Sequence, residues 1–96
     1  MRRIEENMVY AVRNGRNFRS GNTVVTNDET GIKVYLHGNC IWAKYNGTAR
    51  FTMAGWNTPT TRSRLDALGV NVRQRNYEAV YNGRVISLHE WHTVEY

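Results

Sequence analysis

A chain of 96 residues with a formal net charge of +5, one proline and one cysteine belongs to a narrow set of classes. It is one small domain whose core leaves little room for a large substrate cleft. A single cysteine excludes an intramolecular disulfide framework, no stretch reaches the roughly 20 apolar residues of a membrane span, and no signal-peptide pattern is present, so a cytoplasmic protein is expected.

Residues 2–13 are expected to form a helix: Ile4, Met8 and Val12 recur on one face with Ala11 beside them. Glu5 and Glu6 in the first turn and Arg13 in the last match the helix dipole, and Gly15 stands where a C-terminal cap is expected. The competing reading is a strand over Met8–Val12, where Val9, Tyr10 and Val12 favour extended backbone. Asn14 to Asn22 reads as a loop pinned to the core by Phe18. Thr23–Thr26 reads as a strand and Asn27–Gly31 as a turn. From Ile32 to His37 the pattern alternates, with Ile32, Val34 and Leu36 on one face and Lys33, Tyr35 and His37 on the other. Gly38-Asn39 is the expected hairpin turn into a strand over Cys40–Tyr45. Asn46-Gly47 then turns the chain into a strand over Thr48–Met53.

Thr58-Pro59 reads as an N-cap followed by proline at the first helical position. A short helix over Thr60–Leu68 follows, closed by Gly69, with Thr61, Leu65 and Leu68 inward and Arg62 paired with Asp66 four residues on. Val70–Arg75 is an expected strand, and Tyr77–Tyr81 and Arg84–Leu88 form a hairpin about Asn82-Gly83. The tail from His89 to Tyr96 suits an edge strand. The expected fold is α+β: an antiparallel β-meander of about three to five strands with the N-terminal helix and the short second helix packed on one face. Its expected core is Ile4, Met8, Val12, Val24, Ile32, Val34, Leu36, Ile41, Phe51, Trp56, Leu65, Leu68, Val70, Val72 and Ile86.

The basic excess is eleven Arg against two Lys, and its distribution is uneven. No acid lies between Glu29 and Asp66, where Lys33, Lys44, Arg50, Arg62 and Arg64 stand, nor between Glu6 and Asp28, where Arg13, Arg16 and Arg19 stand. From Tyr77 onward the balance is acidic: Arg84 against Glu78, Glu90 and Glu95. A basic face of this kind attracts nucleic acid or an acidic protein surface; the alternative is a solvated surface with excess charge.

Two constellations bear on chemistry. His37 and Cys40 beside one turn, with His89 and His92, offer the one thiolate and three imidazoles of a tetrahedral zinc site, though zinc sites are usually announced by paired cysteines; the alternative is a half-buried cysteine with surface imidazoles. The segment Ala54 to Leu65 gathers Arg, Thr and Ser about a helix N-terminus, whose free N–H groups favour an anion, and Trp56 is placed to stack on a base. The other reading there is an N-cap and a core tryptophan. Arg13, Arg16, Phe18 and Arg19 interleave basic and aromatic residues as nucleic-acid loops do, and a flexible solvated loop explains them equally well. No carboxylate pair, nucleophile elbow or phosphate loop is present, so no enzyme activity and no cofactor are expected. The candidate binding residues, for protein or nucleic acid, are therefore Arg16, Phe18, Arg19, Trp56, Arg62 and Arg64.

Three segments carry a resemblance: Arg16-Asn17-Phe18-Arg19-Ser20-Gly21-Asn22-Thr23; Tyr35-Leu36-His37-Gly38-Asn39 with Ile41 and Ala43; and Ala54 to Leu65. In order and spacing the middle half of the chain resembles small conserved proteins of tailed bacteriophages. The resemblance assigns no functional residue. It implies a protein made in the cytoplasm of an infected bacterium, one that binds host machinery, including defence or nucleic-acid-processing complexes, in stoichiometric amounts. The expected partner is thus a host protein or protein–nucleic-acid complex, or DNA or RNA directly. A nucleic-acid-binding module and a small zinc-containing protein stand as alternatives.

Overall fold

The computed structural model describes residues 2–96. Helix α1 spans Arg3–Arg13 and buries Met8 and Ala11, as the apolar spacing requires, so the helix and not the strand forms here. It closes where expected: Gly15 takes φ +62° and the Arg16 N–H returns to the Ala11 carbonyl at 2.9 Å. The segment expected as a loop contains a short strand, β1 (Phe18–Ser20), hydrogen-bonded to β2 (Thr23–Asp28). Its Asn, Ser and Gly content conceals a strand whose pairing comes entirely from its neighbour. Phe18 packs on the core as expected. Strand β2 runs to Asp28, beyond its expected end, which reduces the turn to Glu29-Thr30.

Strands β3 (Gly31–Leu36), β4 (Asn39–Tyr45) and β5 (Thr48–Phe51) continue the antiparallel meander. Gly31 has φ +110°, and a Cβ there would lie 2.4 Å from the Lys44 carbonyl oxygen, so the approach of β3 to β4 requires glycine. The β3–β4 turn is His37-Gly38, one residue earlier than expected, with both residues at positive φ. Between these strands the register shifts: Val34 opposes Trp42 while Tyr35 opposes Cys40. Ile41 is the extra residue, and the bulge buries it beside Trp42 instead of turning it outward. The Asn46-Gly47 turn forms as expected.

Helix α2 (Pro59–Ala67) begins as its sequence indicates: the Thr58 hydroxyl accepts the Thr61 N–H at 3.1 Å and Pro59 occupies the first turn. Strands β6 (Val72–Arg75), β7 (Glu78–Tyr81) and β8 (Arg84–Val85) make a separate three-stranded sheet. The tail supplies β9 (His92–Thr93), which pairs with β5 and completes a six-stranded sheet in the order β1-β2-β3-β4-β5-β9. Tyr81 joins the two sheets. Its ring meets Phe51 edge-on at 4.9 Å, and its hydroxyl accepts the Glu95 N–H at 2.8 Å. The architecture is α+β with a meander, as expected, but the sheet is wider and the second hairpin stands apart from it.

The core lies between the inner sheet face and the helices. Met8, Val34, Leu36, Ile41, Phe51, Leu65, Val70 and Val72 fill it as expected. Trp56 does not: it is 62% exposed, and the tryptophan that fills the centre is Trp42. Among the described residues Trp42 leaves its buried Nε1–H without a partner, a cost of about 1–3 kcal/mol. Val24 is also not inward; the alternation along β2 buries Thr23 and Val25.

A buried ion pair joins the layers. Arg64 of α2 donates from Nη1 to Glu5 Oε2 of α1 at 2.7 Å, and both side chains are under 5% exposed, at 4% and 3%. Ser63 Oγ donates to the same carboxylate oxygen at 2.5 Å, and the Arg2 N–H reaches Oε1 at 3.4 Å. Arg64 Nε continues to Thr23 Oγ1 of β2 at 3.1 Å, and Nη2 to Asn22 Oδ1 at 3.4 Å. Glu5 thus does more than complement the helix dipole. Burial pushes its carboxyl up, but the hydrogen bonds from Ser63, Arg64 and Arg2, with the Arg64 charge, outweigh burial and hold it below the usual carboxylate range.

A carboxyl lowered on folding stabilises the protein above its unfolded pKa, and that contribution is lost as pH falls through the folded value. Denaturant midpoints measured against pH should therefore be level near neutrality with respect to this group and fall as the solution becomes more acidic than an ordinary glutamate pKa of about 4.3. Glu5→Gln should cost about 3–5 kcal/mol at pH 7, because it leaves Arg64 buried without its counter-charge, and should flatten the acid limb.

Candidate functional site

The six candidate residues separate into interior and surface groups. Arg64 is 3% exposed and committed to Glu5, Thr23 and Asn22, so its charge faces the fold instead of solvent. Phe18 is half-buried against the core. Arg16 and Arg19 are exposed at the sheet edge formed by β1. Trp56 and Arg62 sit at the start of α2. Arg62 does not pair with Asp66: its Nη1 donates to the Asn57 carbonyl at 3.2 Å and to Asn57 Oδ1 at 2.5 Å, bracing the loop before the helix.

Trp56 stands at the rim of a groove of about 450 Å³ that runs over Leu36, Ile41 and Met53 to Thr58 and Thr60. The groove is closed at one side by the β3–β4 turn, where His37 and Asn39 line it. The α2 N-terminus beside it is occupied from within, since Thr58 Oγ1 accepts the Thr61 N–H and lies 2.9 Å from Thr61 Oγ1.

The residues proposed for zinc do not converge. His37 is a turn residue, so Cys40 opposes Tyr35 instead. The Cys40 Sγ contacts the Trp42 carbonyl at 3.5 Å, and burial pushes its thiol pKa up, away from the thiolate that metals and electrophiles need. The His89 ring covers Gly55, where a Cβ would come within 3.0 Å of it, and His92 Nε2 lies 2.9 Å from the Ser87 carbonyl. Among the described residues no three His, Cys, Asp or Glu side chains gather as a metal site.

A second surface was missed by reading elements one at a time. The solvent side of the six-stranded sheet carries Thr26, Lys33, Ala43, Arg50 and Thr93 in one row across the strands. Tyr35 and Cys40 lie in the row to one side, and Tyr45 with Thr48 in the row to the other. Trp91, just before β9, is 47% exposed and Tyr45 is 55% exposed; with Ala43, Thr48 and Arg50 they line a second groove of about 450 Å³. The alternation of β3 placed Lys33 and Tyr35 outward from sequence alone. Arg50 and Trp91 required the β4–β5 register and the β5–β9 pairing.

A family model described as Kyanoviridae Gp96 protein matches residues 1–96. No curated protein and no solved structure matches the chain.

The division of the arginines is measurable by paired substitution. Arg64→Ala should lower stability by about 3–5 kcal/mol in chemical denaturation, since it strands Glu5 in the interior. Arg62→Ala should cost about 1 kcal/mol or less, the value of a partly exposed hydrogen bond.

Proposed function

The chain belongs to the Kyanoviridae Gp96 family, a phage family, and on that footing we propose that it acts in the host cytoplasm by stoichiometric binding to a host macromolecular complex. The complex is of the defence or nucleic-acid-processing kind, and the action is binding without turnover.

The observation that carries this reading is the placement of the large aromatics. Tyr10, Tyr45, Trp56, Tyr77, Trp91 and Tyr96 are all exposed, while Trp42, Phe51 and Tyr81 are buried. Two of three tryptophans therefore add little to the core of a domain that has little core to spare. Tryptophan, tyrosine and arginine are the side chains that dominate binding energy at interfaces, and Trp56 and Trp91 each line a groove. Among the described residues no helix is long and apolar enough to cross a membrane.

Affinity capture with tagged protein from host lysate, with and without nuclease, is the test. The reading expects a partner recovered in stoichiometric amount by the wild type and lost, by tenfold or more, from Trp56→Ala or Trp91→Ala at unchanged circular dichroism. Such a loss corresponds to about 1.4 kcal/mol or more. Recovery of no stoichiometric partner under either condition would overturn it.

A further inference from the structure

We propose that the solvent face of the six-stranded sheet binds single-stranded nucleic acid, with Tyr45 and Trp91 stacking on bases and Arg50, Lys33 and Arg19 meeting phosphates. This names one ligand of the binding role above, the one met through Trp91 and not through Trp56, and rests on that reading.

Three features of the face point to this class of ligand. The first is charge. Its central row carries Lys33 and Arg50, and Arg19 on the edge strand β1 adds a third cation to the same face, in the neighbouring row of Val24, Tyr35 and Cys40. Asp28, two residues beyond Thr26 on β2, is the carboxylate within these strands; the Thr30 N–H donates to it at 2.8 Å, and it offsets part of the Lys33 charge, leaving Arg19 and Arg50 as the cations clear of it. Glu90 precedes Trp91 outside the ladder. Among the described residues the arginine in an ion pair is Arg64, so Arg19 and Arg50 keep their charge for a ligand. Lys33 donates to Thr30 Oγ1 at 2.7 Å, a surface contact that a phosphate can replace.

The second feature is the alternation of cation and ring. The basic row lies between Tyr35 on one side and Tyr45 on the other, and Trp91 faces Arg50 across the small groove. Bases stack on aromatic faces while the backbone follows the cations, which is how sheet platforms hold unpaired strands. The centre of a protein–protein patch is instead depleted of lysine. The third feature is shape. Six strands spaced by about 4.8 Å make a twisted platform roughly 24 Å across. It presents stacking surfaces that paired bases do not reach, and it offers no helix or narrow ribbon to enter a duplex groove.

Fluorescence anisotropy with a labelled 12-nucleotide oligothymidine, an oligouridine of equal length and a 12-base-pair duplex tests the proposal. The single strands should bind at 50 mM salt, the duplex at least tenfold more weakly, and binding should fall steeply by 200 mM salt. Tyr45→Ala and Trp91→Ala should each weaken binding by about 5- to 150-fold. Arg50→Ala should reduce the slope of log affinity against log salt by about 0.7, the share of one phosphate on a single strand. These exposed side chains leave the core untouched, and an unchanged thermal melt confirms it.

Absence of binding at 50 mM salt, equal binding of duplex and single strands, or indifference to all three substitutions would overturn the proposal. If the oligonucleotides do not bind but the same substitutions remove a nuclease-resistant stoichiometric protein, the nucleic-acid assignment falls and the binding role stands. If neither ligand is bound, both fall.

Discussion

Glu5 and Arg64 meet out of water, and three layers of the molecule meet with them. The carboxylate comes from α1, the guanidinium from α2, and the next hydrogen bonds go to Thr23 and Asn22 at the start of β2. A buried charge without a partner is strongly penalised, so each element must arrive in one orientation to satisfy the others. Apolar contacts between Met8, Leu65 and the inner sheet face hold the helices down, but such contacts are not directional. The ion pair supplies direction. It also explains why α2, a short helix with few apolar side chains, has a fixed place: beside Leu65 it buries Thr61 and the arginine Arg64.

With both helices committed to the inner face, the other face of the sheet is left to solvent. One side of each central strand is apolar: Val25, Val34, Trp42 and Phe51 stand in register across β2 to β5. The opposite side carries lysine, arginine and tyrosine at the alternate positions. The bulge at Ile41 and the addition of β9 extend this separation, one by turning an extra apolar residue inward and the other by bringing Trp91 to the outer edge. The small β6–β8 sheet stays apart, joined through Tyr81 to Phe51 and to the tail. The two sheets therefore leave the larger outer face open to solvent.

Much of this organisation is legible locally. The α1 stripe, the alternation of β3, the Asn46-Gly47 and Asn82-Gly83 turns and the Thr58-Pro59 helix start each rest on neighbouring residues, and each forms where the pattern places it. What escapes local reading depends on partners distant in sequence. Glu5 and Arg64 are 59 residues apart, and nothing near either one marks it as buried. Strand β1 exists because β2 is beside it. The choice between Trp42 and Trp56 for the core turns on a bulge, since ordinary alternation would not bury both Ile41 and Trp42. The candidate site divides along the same line. Arg19 and Trp56 are exposed as a binding residue must be, Arg64 is withdrawn by a distant glutamate, and Arg50, Tyr45 and Trp91 come together only through strand pairing.

Charge on this small domain has two destinations: Arg64 is turned inward to the fold, while Arg50 and Lys33 stand on the outer sheet face, the surface proposed for a nucleic-acid strand. The three tryptophans report separately on the outer face, the groove and the core. Nuclear magnetic resonance of the indole N–H groups and the Arg64 Nε–H during titration with oligothymidine follows all of these places at once. The Trp91 indole should move with added strand while Trp42, Trp56 and Arg64 stay in place. Movement of Trp56 with a silent Trp91, or a response at Arg64 itself, would contradict that assignment.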